Sequence, residues 1–439
     1  MSSFDDLIQQ VQEKNLCHRC GGCVSFCTAI NYGALEVNEG GNPGYKDTDK
    51  CLQCGLCYML CPEIDELTNE TRNFTDWKSP MGNIISTDIM RAEDIHIRQR
   101  ATDGGVVTAI LIHLLQTGRI DTAIVSKQSG LFNREPYLAT TKEELLLSCG
   151  SFFDTSHGMV LFSEHYSTFI PSIQALDNVK RMNARKIAFV GTPCQVNAMR
   201  RMQALGVVPS DTVHCVMGLF CSGNFSFDDK ARKRLEQIGE FKWSEARKIN
   251  IKDKLYVHLK NDSVHALPLE EMDSIIRPAC RYCEDYTAEY ADLSFGGIGA
   301  EAGWTTILTR TPLGLDILRN AEKVLERKPV LQLKQDKEKE KLKILNRRIR
   351  HLKYTRKFAG HPHEVDALIN ELSKEHEELQ NRYTDSDLNE KKHETVTLSA
   401  SPLDQIMEKD RGKKKKAAQN KNNELGVSAY AQEINQASY

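Results

Sequence analysis

The 439-residue chain has no apolar run long enough to cross a bilayer. Its most apolar window, "VVTAILIHLLQTG" from Val106 to Gly118, carries His113 and falls short of the roughly 18 apolar residues that a transmembrane helix needs. Neither charge is in excess: 58 Lys and Arg against 60 Asp and Glu leave a net charge of −2. A general nucleic-acid binder would be strongly basic, so no nucleic-acid partner is expected. The opening "MSSFDDLIQQVQEK" is polar and acidic and lacks the pattern of a secretory leader. The expectation is a cytoplasmic protein, peripheral to a membrane at most, and then through a partner. Glycine and proline, at 27 and 13 residues, are too few for a low-complexity chain.

Cysteine, by contrast, is abundant: there are fourteen, and eight of them fall within the first 61 residues. A reducing compartment disfavours disulfides, so cysteines clustered there point to metal or redox chemistry. Two stretches, "CHRCGGCVSFCT" from Cys17 and "CLQCGLCYMLCP" from Cys51, share the form C-x2-C-x2-C-x3-C. Three cysteines at that spacing can wrap one face of a cubane. In two-cluster ferredoxins the fourth cysteine of each run serves the other cluster. Applied to this chain, Cys17, Cys20 and Cys23 pair with Cys61, and Cys51, Cys54 and Cys57 pair with Cys27. Gly21, Gly22 and Gly55 suit loops that must approach sulfide closely. The first run ends in Thr28 where the pattern expects proline, a departure that removes no ligand. The alternative, zinc, usually takes two separated C-x2-C pairs, which is not this pattern.

A ferredoxin unit would end near residue 70. From about 100 to 325 short apolar runs alternate with helix-like segments. "RIDTAIVSK" at Arg119 and "RKIAFVG" at Arg185 read as buried strands, and "QVNAMRRMQALG" after the second reads as a helix, the alternation of an α/β domain. Gly104 and Gly105 precede a helix-like run, and Gly191 and Thr192 sit between strand and helix. Either turn could present backbone N–H groups to a phosphate. Beyond 328 two charged helix-like stretches, one on either side of "FAGHPH", precede a polar tail in which "RGKKKK" at Arg411 reads as a solvated run. "HPHE" at His361 reads as the turn between those helices.

The later cysteines complete the pattern. "TDGGVVTAILIHLL", "IAFVGTPCQV", "GLFCSGN", "CRYCEDYTAEYADLSFGGIG" and "GWTTILTRT" together resemble the coenzyme F-420 hydrogenase/dehydrogenase beta-subunit family, over roughly residues 90 to 315. The resemblance implies a flavoprotein with FAD, a further [4Fe-4S] cluster and coenzyme F-420 as substrate. Cys194, Cys221, Cys280 and Cys283 would hold that third cluster, leaving Cys149 and Cys215 as core thiols. Thr102, Gly104, Gly105, Thr108, Gly191, Thr192 and Gln195 would line the FAD site. "GSFF" at Gly150 and "GGIG" at Gly296 depart from the family's pattern by lacking a basic and an acidic residue. Arg98, Arg100, Lys127 and Arg277 are candidates to meet the coenzyme's anionic tail.

The expected fold is therefore α+β. A two-[4Fe-4S] ferredoxin-like domain (1–70) precedes a larger α/β flavin-binding domain (71–328), a helical extension (329–384) and a disordered tail (385–439). The implied role is hydride exchange between coenzyme F-420 and FAD, coupled to single-electron transfer through three [4Fe-4S] clusters. The partner would be a complex of hydrogenase, membrane dehydrogenase or heterodisulfide-reductase type. A related flavoenzyme of formate dehydrogenase beta or chlorophyll-type reductase kind, or a pure electron-transfer adaptor, are the alternatives. No catalytic side chain is nominated, because hydride transfer needs no general base.

Overall fold

The structure is a computed structural model. It describes residues 3–29, 32–38, 41–128, 133–150, 155–156, 185–207, 210–225, 228–251, 254–328 and 362–384, with positions 406, 409, 412–414 and 416. The first helix-like stretch of the extension and most of the expected tail lie outside these residues.

The duplication of the cysteine run is repeated in the backbone. Gly21 and Gly55, each between the second and third cysteines of its run, adopt φ of 81° and 73°. Arg19 and Gln53, one residue before the second cysteine of each run, take φ of 53° and 49°. Left-handed backbone is open to glycine at little strain, which is why glycine occupies the tightest point of each loop. Each loop then enters a short helix, Gly22–Ala29 in one and Leu56–Met59 in the other. Phe4, Leu7, Val11, Leu35 and Tyr58 form the small apolar core beneath.

The main domain is built on a nine-stranded sheet. In spatial order its strands are Leu325–Arg327, Ser86–Ala92, Thr305–Thr309, Leu293–Gly296, Val213–Leu219, Ile187–Gly191, Thr122–Gln128, Asn133–Ala139 and Thr155–Ser156. Its centre, from Leu293–Gly296 through Thr122–Gln128, is parallel, and antiparallel strands flank it on both sides. The strands expected at 119–127 and 185–191 are both in this parallel core. Ile187–Gly191 is buried along its whole length, the run expected of a strand covered on both faces. A separate three-stranded sheet of Ala246–Ile251, Lys254–Leu259 and Val264–Pro268 stands beside it.

The helix Pro193–Ala204 joins the two units. It starts with proline in its first turn, where no N–H bond is lost, and buries Val196, Met199 and Met202. The ferredoxin unit packs so closely against it that a Cβ on Gly22 would stand 2.9 Å from the Ala198 Cβ. Arg201, 2% exposed, reaches from this helix into the small domain. Its guanidinium donates to the Met59 and Ile64 carbonyls at 3.1 and 2.6 Å and to Thr68 Oγ1 at 3.1 Å. Asn197 Oδ1 accepts its Nε–H at 3.0 Å.

Two sequence expectations change near the C-terminus. Pro362 opens the helix Pro362–Thr384, so the described part of "HPHE" begins a helix and is not a turn, as the tolerance of helix starts for proline allows. The lysine run is not wholly solvated: Lys413 and Lys414 are half-buried and bond to the main domain, drawn by its carbonyls and a carboxylate, while Lys416 stays exposed beside Asp273.

Arg201→Ala would leave buried carbonyls unpaired, a loss of ~3 kcal/mol or more. A clear drop in thermal midpoint is expected, whereas Lys78→Ala, which removes only the exposed Lys78–Asp76 pair, should leave it unchanged. Equal midpoints for both variants would contradict the role given to Arg201.

Candidate cofactor cleft and cysteine cages

The eight N-terminal cysteines fall into two groups that cross between the runs. Burial drives the Cys23 thiol well above the ordinary range, and the sulfurs of Cys20, Cys17, Cys61 and Cys57 push it further. Cys61 is likewise raised by burial and then by Cys20 and Cys17. Cys57 is pushed up to about 12 by burial, then by Cys54 and Cys51, with Cys27 adding to it. Cys27, Cys51, Cys54 and Cys57 all line one small hollow of about 20 Å³. The fourth cysteine of each run thus keeps company with the other run. A cubane takes one thiolate at each of four irons, and each of these groups offers four free cysteines.

The structure also brings four later cysteines together. Cys194 enters in the first turn of Pro193–Ala204, Cys221 follows the strand Val213–Leu219, and Cys280 sits in the turn Pro278–Arg281, with Cys283 just beyond. Burial lifts Cys221 to about 11, Lys413 pulls it down, and Cys280 and Cys283 push it up. Burial also raises Cys194, which feels His18, Cys20 and Cys283. Cys280 differs: burial opposes ionisation, but a hydrogen bond from His18 and the charges of Arg277, His18 and Lys413 bring it down to about 7. The Asn224 N–H donates to Cys280 Sγ at 3.3 Å. Such N–H···S contacts are among the features that set cluster potentials.

His18 and Glu63 occupy the seam between this group and the first, a pair that sequence reasoning missed. His18 Nε2 lies 2.5 Å from Glu63 Oε1, and Arg277 donates to the His18 carbonyl at 2.7 Å. Forty-five residues separate the partners, and no local pattern announces them.

A cleft of about 240 Å³ opens at the carboxyl ends of the central parallel strands, where open α/β sheets bind ligands. Thr102, Gly105, Thr108, Gly191, Thr192 and Gln195 line it. Gly104, the other residue expected there, does not. It donates its N–H to Thr305 Oγ1 at 2.9 Å, and a Cβ on it would stand 2.8 Å from the Met90 carbonyl. Gly105 caps the helix Val106–Gln116 at φ 74° without a side-chain cap, leaving first-turn N–H groups at the cleft. Gln195 Oε1 accepts the Thr192 N–H at 2.9 Å and so fixes the second turn. Exposed N–H groups beside apolar walls such as Val190, Leu219 and Phe295 suit a ligand with anionic and planar parts. Cys221 lines the same cleft.

The basic candidates lie elsewhere. Arg98 donates to the Ala92 and Glu93 carbonyls, Lys127 stacks on Tyr137, and Arg277 is buried at the His18 seam. None of these, nor Arg100, lines the cleft. Instead Ile249, Asn250 and Ile251 of the three-stranded sheet do, with Asn250 donating to Asp103 at 2.9 Å. In "GGIG", Gly296 and Gly297 line the cleft, and a Cβ at 296 would strike the Phe220 ring at 2.0 Å. Of "GSFF", Gly150 lines the cleft and the rest lies outside the described residues. Cys149 and Cys215 belong to the buried core.

Known proteins resemble this chain. Family models for the coenzyme F-420 hydrogenase/dehydrogenase beta subunit match residues 89–162 (N-terminal part) and 184–332 (C terminus), and a 4Fe-4S dicluster domain matches 9–62. The coenzyme F-420 hydrogenase subunit beta of Methanothermobacter thermautotrophicus is 32% identical, over 56% of this chain and 84% of its own. The protein of the same name from Methanococcus voltae is 31% identical, over 61% and 97%. A solved structure of the F-420-reducing [NiFe] hydrogenase complex from Methanosarcina barkeri matches with a TM-score of 0.51 and 26% identity, over 59% of this chain and 86% of that one. The chain belongs to the coenzyme F-420 hydrogenase/dehydrogenase beta-subunit family, as an iron–sulfur oxidoreductase subunit with its own dicluster domain.

Proposed function

We propose that this subunit exchanges a hydride between coenzyme F-420 and FAD and passes single electrons through three [4Fe-4S] clusters to or from the other subunits of a larger complex. Flavin supplies the conversion between two-electron hydride chemistry and one-electron transfer. Thr102, Gly105, Thr108, Gly191, Thr192 and Gln195 would hold the FAD, the two turns offering N–H groups to its pyrophosphate. Gly104 acts one step back, letting the chain pass close under the strand Ser86–Ala92.

Cys194, Cys221, Cys280 and Cys283 would ligate one cluster, Cys17, Cys20, Cys23 and Cys61 the next, and Cys51, Cys54, Cys57 and Cys27 the last. The observation that carries the reading is Cys221, which belongs at once to the cleft wall and to the third group of cysteines. From there Cys194 neighbours Cys20, Cys23 neighbours Cys57, and Cys54 is exposed. The sequence of groups therefore leads from cleft to surface, where a hydrogenase, dehydrogenase or heterodisulfide-reductase type of partner would dock.

Anaerobic mixing of reconstituted protein with reduced coenzyme F-420 and a one-electron dye tests the reading. FAD-dependent recovery of the coenzyme's visible band together with dye reduction is expected. No reaction in either direction, with flavin and iron bound, would assign the cleft another substrate.

Cys221→Ser separates the two halves of the route. It should lower iron by about four per chain, leave FAD bound and still bleached by reduced coenzyme, and stop electrons reaching the dye by way of the ferredoxin unit. Unchanged iron content would remove Cys221 from the ligand set.

A further inference from the structure

The described end of the chain returns to the third cysteine group. Ile406, fully buried, packs with Met81 and Leu308. Lys414 Nζ stands 3.0 Å from Glu289 Oε1, a carboxylate that also accepts the Trp77 indole N–H at 2.9 Å. Lys416 reaches Asp273 at 3.4 Å. Between these anchors Lys413 extends inward, and its Nζ donates to the Cys221 carbonyl at 2.8 Å and the Asp285 carbonyl at 3.1 Å. Those two carbonyls bracket the cage, because Asp285 is two residues past Cys283, whose thiol points to the same Asp285 carbonyl at 3.5 Å. Both of these acceptors are neutral carbonyls. Lys414 and Lys416 each pair with a carboxylate; Lys413 faces the sulfurs of Cys283, Cys221 and Cys280 first, with the Asp285 carboxyl beyond them.

We propose that Lys413 is a potential-setting residue: the C-terminal segment delivers its ammonium to the third cluster and makes that cluster easier to reduce. The proposal rests on the assignment of Cys194, Cys221, Cys280 and Cys283 as ligands. A [4Fe-4S] core with four thiolates carries two negative charges when oxidised and three when reduced. A fixed cation beside it stabilises the reduced form more than the oxidised one. The sulfurs are mostly shielded, with Cys221 and Cys280 each 7% exposed, so water screens this attraction poorly. An electron arriving from the cleft would meet a first acceptor whose potential is raised by a residue 192 positions from Cys221.

The sign of the effect separates charge from mere coverage. If the segment only kept water out, loosening it would let water stabilise the more highly charged reduced form, and the potential would rise. If the ammonium acts by its charge, neutralising it must lower the potential. The test is an EPR-monitored redox titration of the third cluster in the full-length reconstituted protein, with Lys413→Met, Lys413→Arg and Lys416→Ala beside the parent. Iron content is measured on each, and the Cys221→Ser variant identifies the third signal. A negative shift in Lys413→Met, little shift in Lys413→Arg and none in Lys416→Ala is expected. An unchanged or positive shift in Lys413→Met, with iron content equal to the parent, overturns the role of Lys413 and leaves the ligand assignment standing. A parent protein with no third signal overturns both.

Discussion

One helix constrains everything else. The first turn of Pro193–Ala204 brings Gln195 to the cleft and Cys194 to the third cysteine group, and its later turns hold the ferredoxin unit through Ala198 and Arg201. Electron transfer requires centres at fixed, short separations, and a loose linker between two domains could not provide them. Here the meeting of the two units is fixed by one helix and a fully buried guanidinium bonded to the small domain's backbone, as the proposed route needs. Arg200, on the same helix, pairs with Asp292 at 2.9 Å, and Asp292 in turn accepts the Val216 N–H, so the helix is tied to the parallel sheet as firmly as to the ferredoxin unit.

The electrostatics of the cages follow from the same packing. Buried thiols are reluctant to ionise, and Cys23, Cys61 and Cys194 are all driven upward by burial. A metal cluster must therefore displace protons as it assembles, which links cluster insertion to the completed fold. Cys280 is the exception because cations surround it: His18, held by Glu63, together with Arg277 and Lys413. Three cations thus act on Cys280, and through Cys221 the same group adjoins the cleft.

Much of this was legible in the sequence because it is local. Cysteine spacing and glycine placement encode both N-terminal loops within about a dozen residues each, and the crossed grouping follows from the ferredoxin pattern. The Gly191–Thr192 turn is readable from the strand before it and the helix after it. What was not legible depends on long-range contact. The third cysteine group, from segments far apart in the chain, comes from the sequence only through the family resemblance, and the wall formed by Ile249, Asn250 and Ile251 exists only once separate segments meet. Arg201 looks like any surface arginine of an amphipathic helix until the ferredoxin unit covers it. Lys413 sits in a run of like charges whose composition reads as solvated, and only the fold supplies its acceptors. Nearness in sequence to a motif, conversely, did not place Arg98 or Lys127 in the cleft wall.

A continuous series of three centres from cleft to surface is the claim on which the rest depends. Spin integration and power saturation of the fully reduced, reconstituted protein test it most directly. About three cubane spins per chain are expected, broadened by magnetic coupling between neighbouring centres. Two spins, or three that saturate as isolated clusters, would contradict it.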